Sequence, residues 1–169
     1  ALARIMLGLQ SLEGSAFATI VGARLGDRAF GVAPASASLW ATLRASSDAG
    51  MQRLVERVER MAREEALSAG LGVQIGYADS FRATVNDPRA VRIVRESAGD
   101  LPVRDIGAPF RWSEDFGRFT GEYTGALFGM GAGLDTPDLH DPAYDFPDEL
   151  IPVAADLFER IIDRVLRGN

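Results

Sequence analysis

The chain has 169 residues, 47% hydrophobic and 25% charged, with a formal charge of −6, no cysteine, and arginine at all 18 cationic positions. The missing cysteine excludes disulfides, thiolate zinc sites and a cysteine nucleophile, and the missing lysine excludes Schiff-base and phosphate-loop chemistry. An acidic chain without a basic stripe is a poor match for nucleic acid, and no apolar run is long enough to cross a bilayer.

Leu2, Ile5, Met6, Leu9 and Leu12 recur at helical spacing, so Ala1 to Leu12 is predicted as an amphipathic helix broken by Glu13-Gly14-Ser15. This apolar start carries Arg4 and lacks a basic segment followed by a cleavage site. It does not read as a signal peptide, and the default expectation is cytoplasmic. Phe17 to Leu25 and Ala37 to Leu43 are predicted strands, joined through turn residues Gly26-Asp27, Gly31 and Pro34. Ser46-Ser47-Asp48 offers N-caps for a helix with the apolar stripe Met51, Leu54, Val55, Val58, Met61 and Ala62, closed at Gly70. Val73, Ile75 and Tyr77 alternate, predicting a half-buried strand over Gly72 to Ser80.

That order, helix-strand-strand-helix-strand, is a ferredoxin-like split unit lacking its first strand. Together with an opening Ala in place of Met, it leads us to expect further polypeptide upstream. Beyond Asn86-Asp87-Pro88 the pattern predicts a short helix carrying Val91, Ile93 and Val94, then a short strand at Leu101 to Ile106. A buried strand is predicted at Leu127 to Met130, running into Gly129 to Gly133. A final helix is predicted from near Asp145 through Leu157, Phe158, Ile161, Ile162, Val165 and Leu166. Pro152 sits in its first turn, or separates a short turn from the main helix.

His140 is the only histidine, in Pro137-Asp138-Leu139-His140-Asp141-Pro142. A lone histidine is more often a surface or capping residue than a ligand, and a zinc site needs three or four donors. Its place after a glycine-rich strand end, among carboxylates, keeps a metal role open. Ser113-Glu114-Asp115-Phe116 sets two carboxylates between Trp112 and Phe116. Ser113 as an N-cap, with Glu114 and Asp115 at the positive end of a helix dipole, explains them as well as catalysis does. Gly129 to Gly133 is too short for a dinucleotide fingerprint, and close backbone packing accounts better for its glycines. Arg44 ends the second strand. Most such arginines are simply solvated, but a guanidinium fork suits a substrate carboxylate.

Taken together, Gly107-Ala108-Pro109 through Ser113-Glu114-Asp115-Phe116, Gly129 to Gly133, Leu139-His140-Asp141-Pro142 and Asp148-Glu149-Leu150 resemble the aminoacylase and carboxypeptidase-G family, metallopeptidase family twenty. The likeness is nearest to its bacterial amidohydrolase branch. Upstream, Phe30-Gly31-Val32-Ala33-Pro34 and Thr42-Leu43-Arg44 resemble that family's lid motif, and Asn86-Asp87 the return from the lid. The resemblance implies an α/β fold. Residues 1–82 would be a ferredoxin-like lid and dimerisation domain lacking its first strand, and 83–169 the C-terminal segment of the catalytic domain.

It also implies hydrolysis of an amide bond in N-acyl or N-aroyl amino acids or small peptides. Two divalent ions, zinc or alternatively manganese or cobalt, would polarise the carbonyl and lower the pKa of a bridging water. By the same resemblance His140 is a metal ligand, and Arg44 and Gly131 bind substrate, Arg44 across a homodimer interface. Glu114 and Asp115 support the site wall. Gly31 stands where the family usually has an Asn, which removes one expected substrate hydrogen bond. The family's other metal ligands lie upstream of this segment, so the expectation is that these residues alone are inactive. The alternative is a non-catalytic dimerisation or ligand-binding module derived from the same family.

Overall fold

The computed structural model describes every residue except 13, 15, 113 and 169. The expected break at Glu13 and Ser15 and the expected cap at Ser113 therefore lie outside the described residues. The fold is mixed α/β, as expected, with helices and, among the described residues, one two-stranded sheet. It divides into two units, Ala1–Ala83 with Pro109–Glu114, and Thr84–Ala108 with Asp115–Asn169. The six residues Pro109–Glu114 thus belong with the first unit, although they follow residue 83 in sequence.

In the first unit α1 spans Leu2–Gln10, β1 Ala16–Leu25, β2 Ala37–Ala45 and α2 Asp48–Ser68. The strands pair antiparallel, with Phe17 opposite Arg44 and Thr19 opposite Thr42, then a bulge between Ile20 and Gly22. A bulge adds one residue to one strand and increases local twist; the extra residue, Val21, is exposed. α1 packs on β1, α2 on β2, and the two helices on each other. Gly8 lies against Met61, so a Cβ there, 2.2 Å from Met61 Sδ, would require that thioether to move. Leu9, Leu54, Ala62 and Ala66 are buried there, and an Arg4–Glu65 ion pair joins the helices.

The caps of α2 are local chemistry. Ser47 has extended backbone, and its Oγ accepts a hydrogen bond from the Gly50 amide at 3.1 Å. At the other end Gly70 has φ +67°, a conformation open to glycine at little cost. The Gly70 amide donates to the Leu67 carbonyl at 3.0 Å and the Leu71 amide to that of Ala66 at 2.9 Å. These two bonds together form a Schellman closure. Replacing Ser47 with Ala removes the side-chain acceptor and should cost about 1 kcal/mol. A thermal melt should show it as a fall of roughly 4–8 °C for a unit of this size; an unchanged midpoint would mean water caps the helix equally well.

Residues 72–80 do not form the predicted strand. Val73 and Ile75 are half-buried as the alternation required, but β1 and β2 pair only with each other and the segment finds no backbone partner among the described residues. It is tied instead to α2, where the Tyr77 hydroxyl donates to Glu59 Oε1 at 2.8 Å and Arg63 donates to Oε2 at 3.0 Å. Partial burial, then the bond to Glu59, pushes the Tyr77 phenol up to about 12. A raised acid pKa means that the folded state holds the proton more tightly. The tether is therefore complete below the ordinary phenol pKa of about 10, and is lost as pH rises towards 12. Phenolate absorbance of this tyrosine should appear later than that of free tyrosine, and Glu59→Gln should shift it back. An unshifted titration would refute the bond.

In the second unit α3 spans Pro88–Ala98, α4 Phe116–Thr120 and α5 Leu150–Arg167. Asp87 caps α3, its carboxylate accepting from the amides of Arg89 at 2.8 Å and Ala90 at 3.1 Å. Pro88 takes the first helical position, where its missing N–H costs nothing. α5 begins at Leu150 rather than near Asp145, with Pro152 in its first turn as expected. It packs on α3, where Leu157, Ala98 and Ser97 are buried. Arg164 bridges the pair, donating to the Glu96 carboxylate at 3.0 Å and to its carbonyl at 3.3 Å.

The other two predicted strands are also absent. Residues 101–106 have no ladder, and an Arg95–Asp105 ion pair anchors them. Residues 127–130 are half-exposed rather than buried, and the Asn86 amide does what a neighbouring strand would do. Its Nδ2 donates to the Leu127 carbonyl and its Oδ1 accepts from the Leu127 amide, both at 2.8 Å. A strand requires a second backbone within reach, and the described residues supply none at these places.

One side of α5 stays largely exposed, with the Phe158 ring tilted against that of Phe128 at 5.8 Å. Ile151, Phe158, Ile162, Val165 and Leu166 lie beside the packed stripe, and each is more than half exposed. The chain exposes 13,087 Å² in all. Two separate compact bodies of half its mass would together expose about 9,800 Å².

Candidate substrate and metal residues

Arg44 stands near the end of β2, directly across from Phe17 on β1. Its guanidinium carbon lies 5.9 Å from the Phe17 ring centroid. A second guanidinium, Arg111, approaches the same ring at 4.5 Å. Arg111 comes from Pro109–Glu114, where the rings of Phe110 and Trp112 stack at 4.0 Å with an interplanar angle of 16°. Both cations are within the range at which a ring quadrupole attracts them.

The Arg44 Nε is buried with no hydrogen-bond partner. Neither Arg44 nor Arg111 has a carboxylate within salt-bridge distance among the described residues, whereas Arg4, Arg63, Arg82, Arg95 and Arg164 each do. Sharing one ring puts the two guanidinium carbons no more than roughly 10 Å apart. Like charges at about that separation repel by about 0.4 kcal/mol in water and about 1.7 kcal/mol at an effective dielectric constant of about 20. Among the described residues the cluster is a concentration of positive charge without a carboxylate in salt-bridge range. Sequence reasoning identified Arg44 but missed Phe17 and Arg111. The available signal was the Phe-Arg-Trp run beside Ser-Glu-Asp-Phe, a cation set between two rings.

Glu114 is half-buried in the first unit, and Asp115 begins the second as the N-cap residue of α4, with its side chain making no capping bond. Gly131 is exposed, and a Cβ there would meet nothing within 4 Å. Close packing is therefore not the reason for that glycine. Gly133 is the position that requires one, with φ +109°.

His140 is exposed and lies in a turn closed by the Asp141 amide donating to the Asp138 carbonyl at 2.9 Å. Its φ of +77° is left-handed, uncommon outside glycine though less so for histidine than for most residues. The neighbouring Asp141 carboxylate accepts from the Ala143 amide at 2.8 Å. Among the described residues no group of three or more His, Asp or Glu side chains could hold a metal ion. The residues present thus do not fit a complete metal centre, and His140 contributes one donor at most.

Residues 5–164 match the model of peptidase family M20/M25/M40. An N-acetyldiaminopimelate deacetylase of Exiguobacterium sibiricum is 28% identical over 122 residues, which is 70% of this chain and 32% of that protein. The crystal structure of the Bacillus subtilis YXEP protein, described as a dinuclear metal binding peptidase of family M20, superposes with a TM-score of 0.75 at 25% identity. It covers 99% of this chain and 45% of its own. The chain thus spans about a third of the curated relative's length and under half of the solved one's.

Proposed function

The chain belongs to peptidase family M20/M25/M40, and from that premise we propose that it is the portion of a metal-dependent amidohydrolase that carries the substrate-carboxylate receptor and one metal donor. The reaction is hydrolysis of the amide bond in N-acyl or N-aroyl amino acids or small peptides. The observation that carries this reading is the family match across residues 5–164. The deacetylase relative and the dinuclear solved relative support amide hydrolysis with two divalent ions, for which zinc is our choice over manganese or cobalt.

In this reading Arg44 binds the carboxylate of the substrate, and its buried, unpartnered Nε supports that role. A charge-assisted bond to a guanidinium is roughly twice as strong as a neutral one. Gly131, in open space, lets backbone approach the substrate, Glu114 and Asp115 line the site, and His140 is a metal ligand. The remaining donors come from polypeptide outside these 169 residues, so the chain alone neither holds two ions nor hydrolyses amides. Two copies pair through the first unit, residues 1–82 serving as the lid and 83–169 as part of the catalytic domain, in the cytoplasm.

The second reading is a binding module without catalysis, favoured by the lack of a metal-holding group among the described residues. Metal content and hydrolysis of N-acetyl amino acids separate the two. A polypeptide spanning the whole family length should bind two divalent ions and release the free amino acid. If it contains no metal and leaves the amide intact while still binding it, the binding module is correct.

A further inference from the structure

We propose that Arg111 is a positioning residue: its guanidinium, seated on the Phe17 ring, fixes the strap Pro109–Glu114 to the first unit and so sets where Glu114 stands in the wall of the site. The inference deepens the amidohydrolase reading and rests on it for the role of Glu114. The anchoring rests on the geometry of the first unit.

The strap has no helix or strand of its own among the described residues. It nevertheless belongs with residues 1–83, while its neighbours in sequence, Ala108 and Asp115, belong to the second unit. Side chains must therefore supply the attachment. The rings of Phe110 and Trp112 stack at 4.0 Å with 16° between their planes. Side chains two residues apart stack when both leave the same side of an extended backbone, which turns the residue between them to the opposite side. That residue is Arg111, and its guanidinium carbon meets the Phe17 ring at 4.5 Å, inside the reach of about 6 Å over which a ring face attracts a cation.

The ring is the fixed member of the contact. Phe17 is half-buried in β1 and paired across from Arg44 on β2, whose guanidinium lies farther from the ring, at 5.9 Å. Strand pairing sets the ring's place, and Arg111 carries the strap to it. A guanidinium suits this task, being planar, permanently charged and weakly hydrated. At an exposed position such a contact shifts an equilibrium by about two- to five-fold. Glu114, half-buried, closes the strap in the first unit, whereas Asp115 stands at the cap of α4 in the second. The anchor thus bears on Glu114 rather than on Asp115.

Nuclear magnetic resonance of the labelled chain tests the anchor without any catalysis. Phe17→Leu leaves the strap's own sequence intact. It should return the Arg111 side-chain protons from a ring-shifted, upfield position and should move the Glu114 amide resonance. In an Arg111→Gln background the same exchange should leave the Glu114 amide where it is. A thermal melt confirms folding, and Phe17→Met takes the place of Phe17→Leu if the latter unfolds. Arg111 protons without a ring shift in the wild type would overturn the proposal. So would a Glu114 resonance that responds to loss of the ring equally with and without Arg111.

Kinetics in a polypeptide spanning the whole family length supply the second arm, with N-acetyl-L-alanine as substrate. Arg111→Gln should raise KM about two- to five-fold with kcat retained. Added to Glu114→Gln, it should raise KM no further, because a residue that acts through another has nothing left to act on. Additive effects would also overturn the proposal. A wild type that hydrolyses nothing refutes only the amidohydrolase reading, and the resonance experiment then decides the anchor by itself.

Discussion

If His140 is a metal ligand as proposed, replacing it with Ala in a polypeptide spanning the whole family length should lower metal affinity at least about a hundred-fold, because losing even a group that only orients a ligand costs about 10–100-fold. Activity should fall with occupancy, while folding is preserved, since the side chain is exposed in a turn. The backbone offers a second, independent readout. His140 has φ +77°, where an L-residue costs about 1–2 kcal/mol relative to glycine. His140→Gly relieves that strain and adds about 0.5–1 kcal/mol of unfolded-state entropy cost. The net effect is a gain of roughly 0–1.5 kcal/mol. The glycine variant should therefore melt slightly higher than the wild type in the metal-free state, yet bind metal as poorly as the alanine variant. Elemental analysis and a thermal melt together decide the matter. Two metal ions retained in either variant would remove His140 from the ligand set, whatever the melt shows.

Leu157→Ala should have the largest effect on stability. Leu157 is 5% exposed on the side of α5 that packs against α3. The other buried residues at that packing, Ser97 and Ala98, are small. Leu157 is therefore the one large buried apolar side chain at that packing among the described residues. Truncating it removes about 2–5 kcal/mol of transfer and cavity energy, from a unit whose whole stability is about 4–12 kcal/mol. Ile162→Ala is the control on the same helix, since Ile162 is 54% exposed and should cost less than about 1 kcal/mol. Urea unfolding of both variants measures the difference. If Leu157→Ala were no worse than Ile162→Ala, the buried side of α5 would not be what anchors it.

The contrast between α5's two sides also marks the limit of reading helices from periodicity. The apolar stripe Leu157, Phe158, Ile161, Ile162, Val165 and Leu166 predicts a helix and its approximate extent. It does not say that one half of the stripe meets α3 while the other half stays mostly exposed, with Phe158 against the Phe128 ring. Likewise His140, Glu114, Asp115, Gly131 and Arg44 could each be picked from the sequence as residue types in suggestive settings. The split between Glu114 and Asp115 could not: they are adjacent in the chain yet belong to different units.

What this sequence determined by itself is what residues near each other in the chain can settle. The helices α2 and α3, their caps at Ser47 and Asp87, the Gly70 closure and the β1–β2 hairpin all depend on contacts across a turn or a short loop. Everything that depends on a distant partner was left to the tertiary structure. Residues 72–80, 101–106 and 127–130 have strand-like composition and make no ladder, because strand hydrogen bonds must be made with another backbone. The meeting of Phe17, Arg44 and Arg111 was hidden for the same reason: Arg111 lies far along the chain from the hairpin, and only folding brings its charge to that ring.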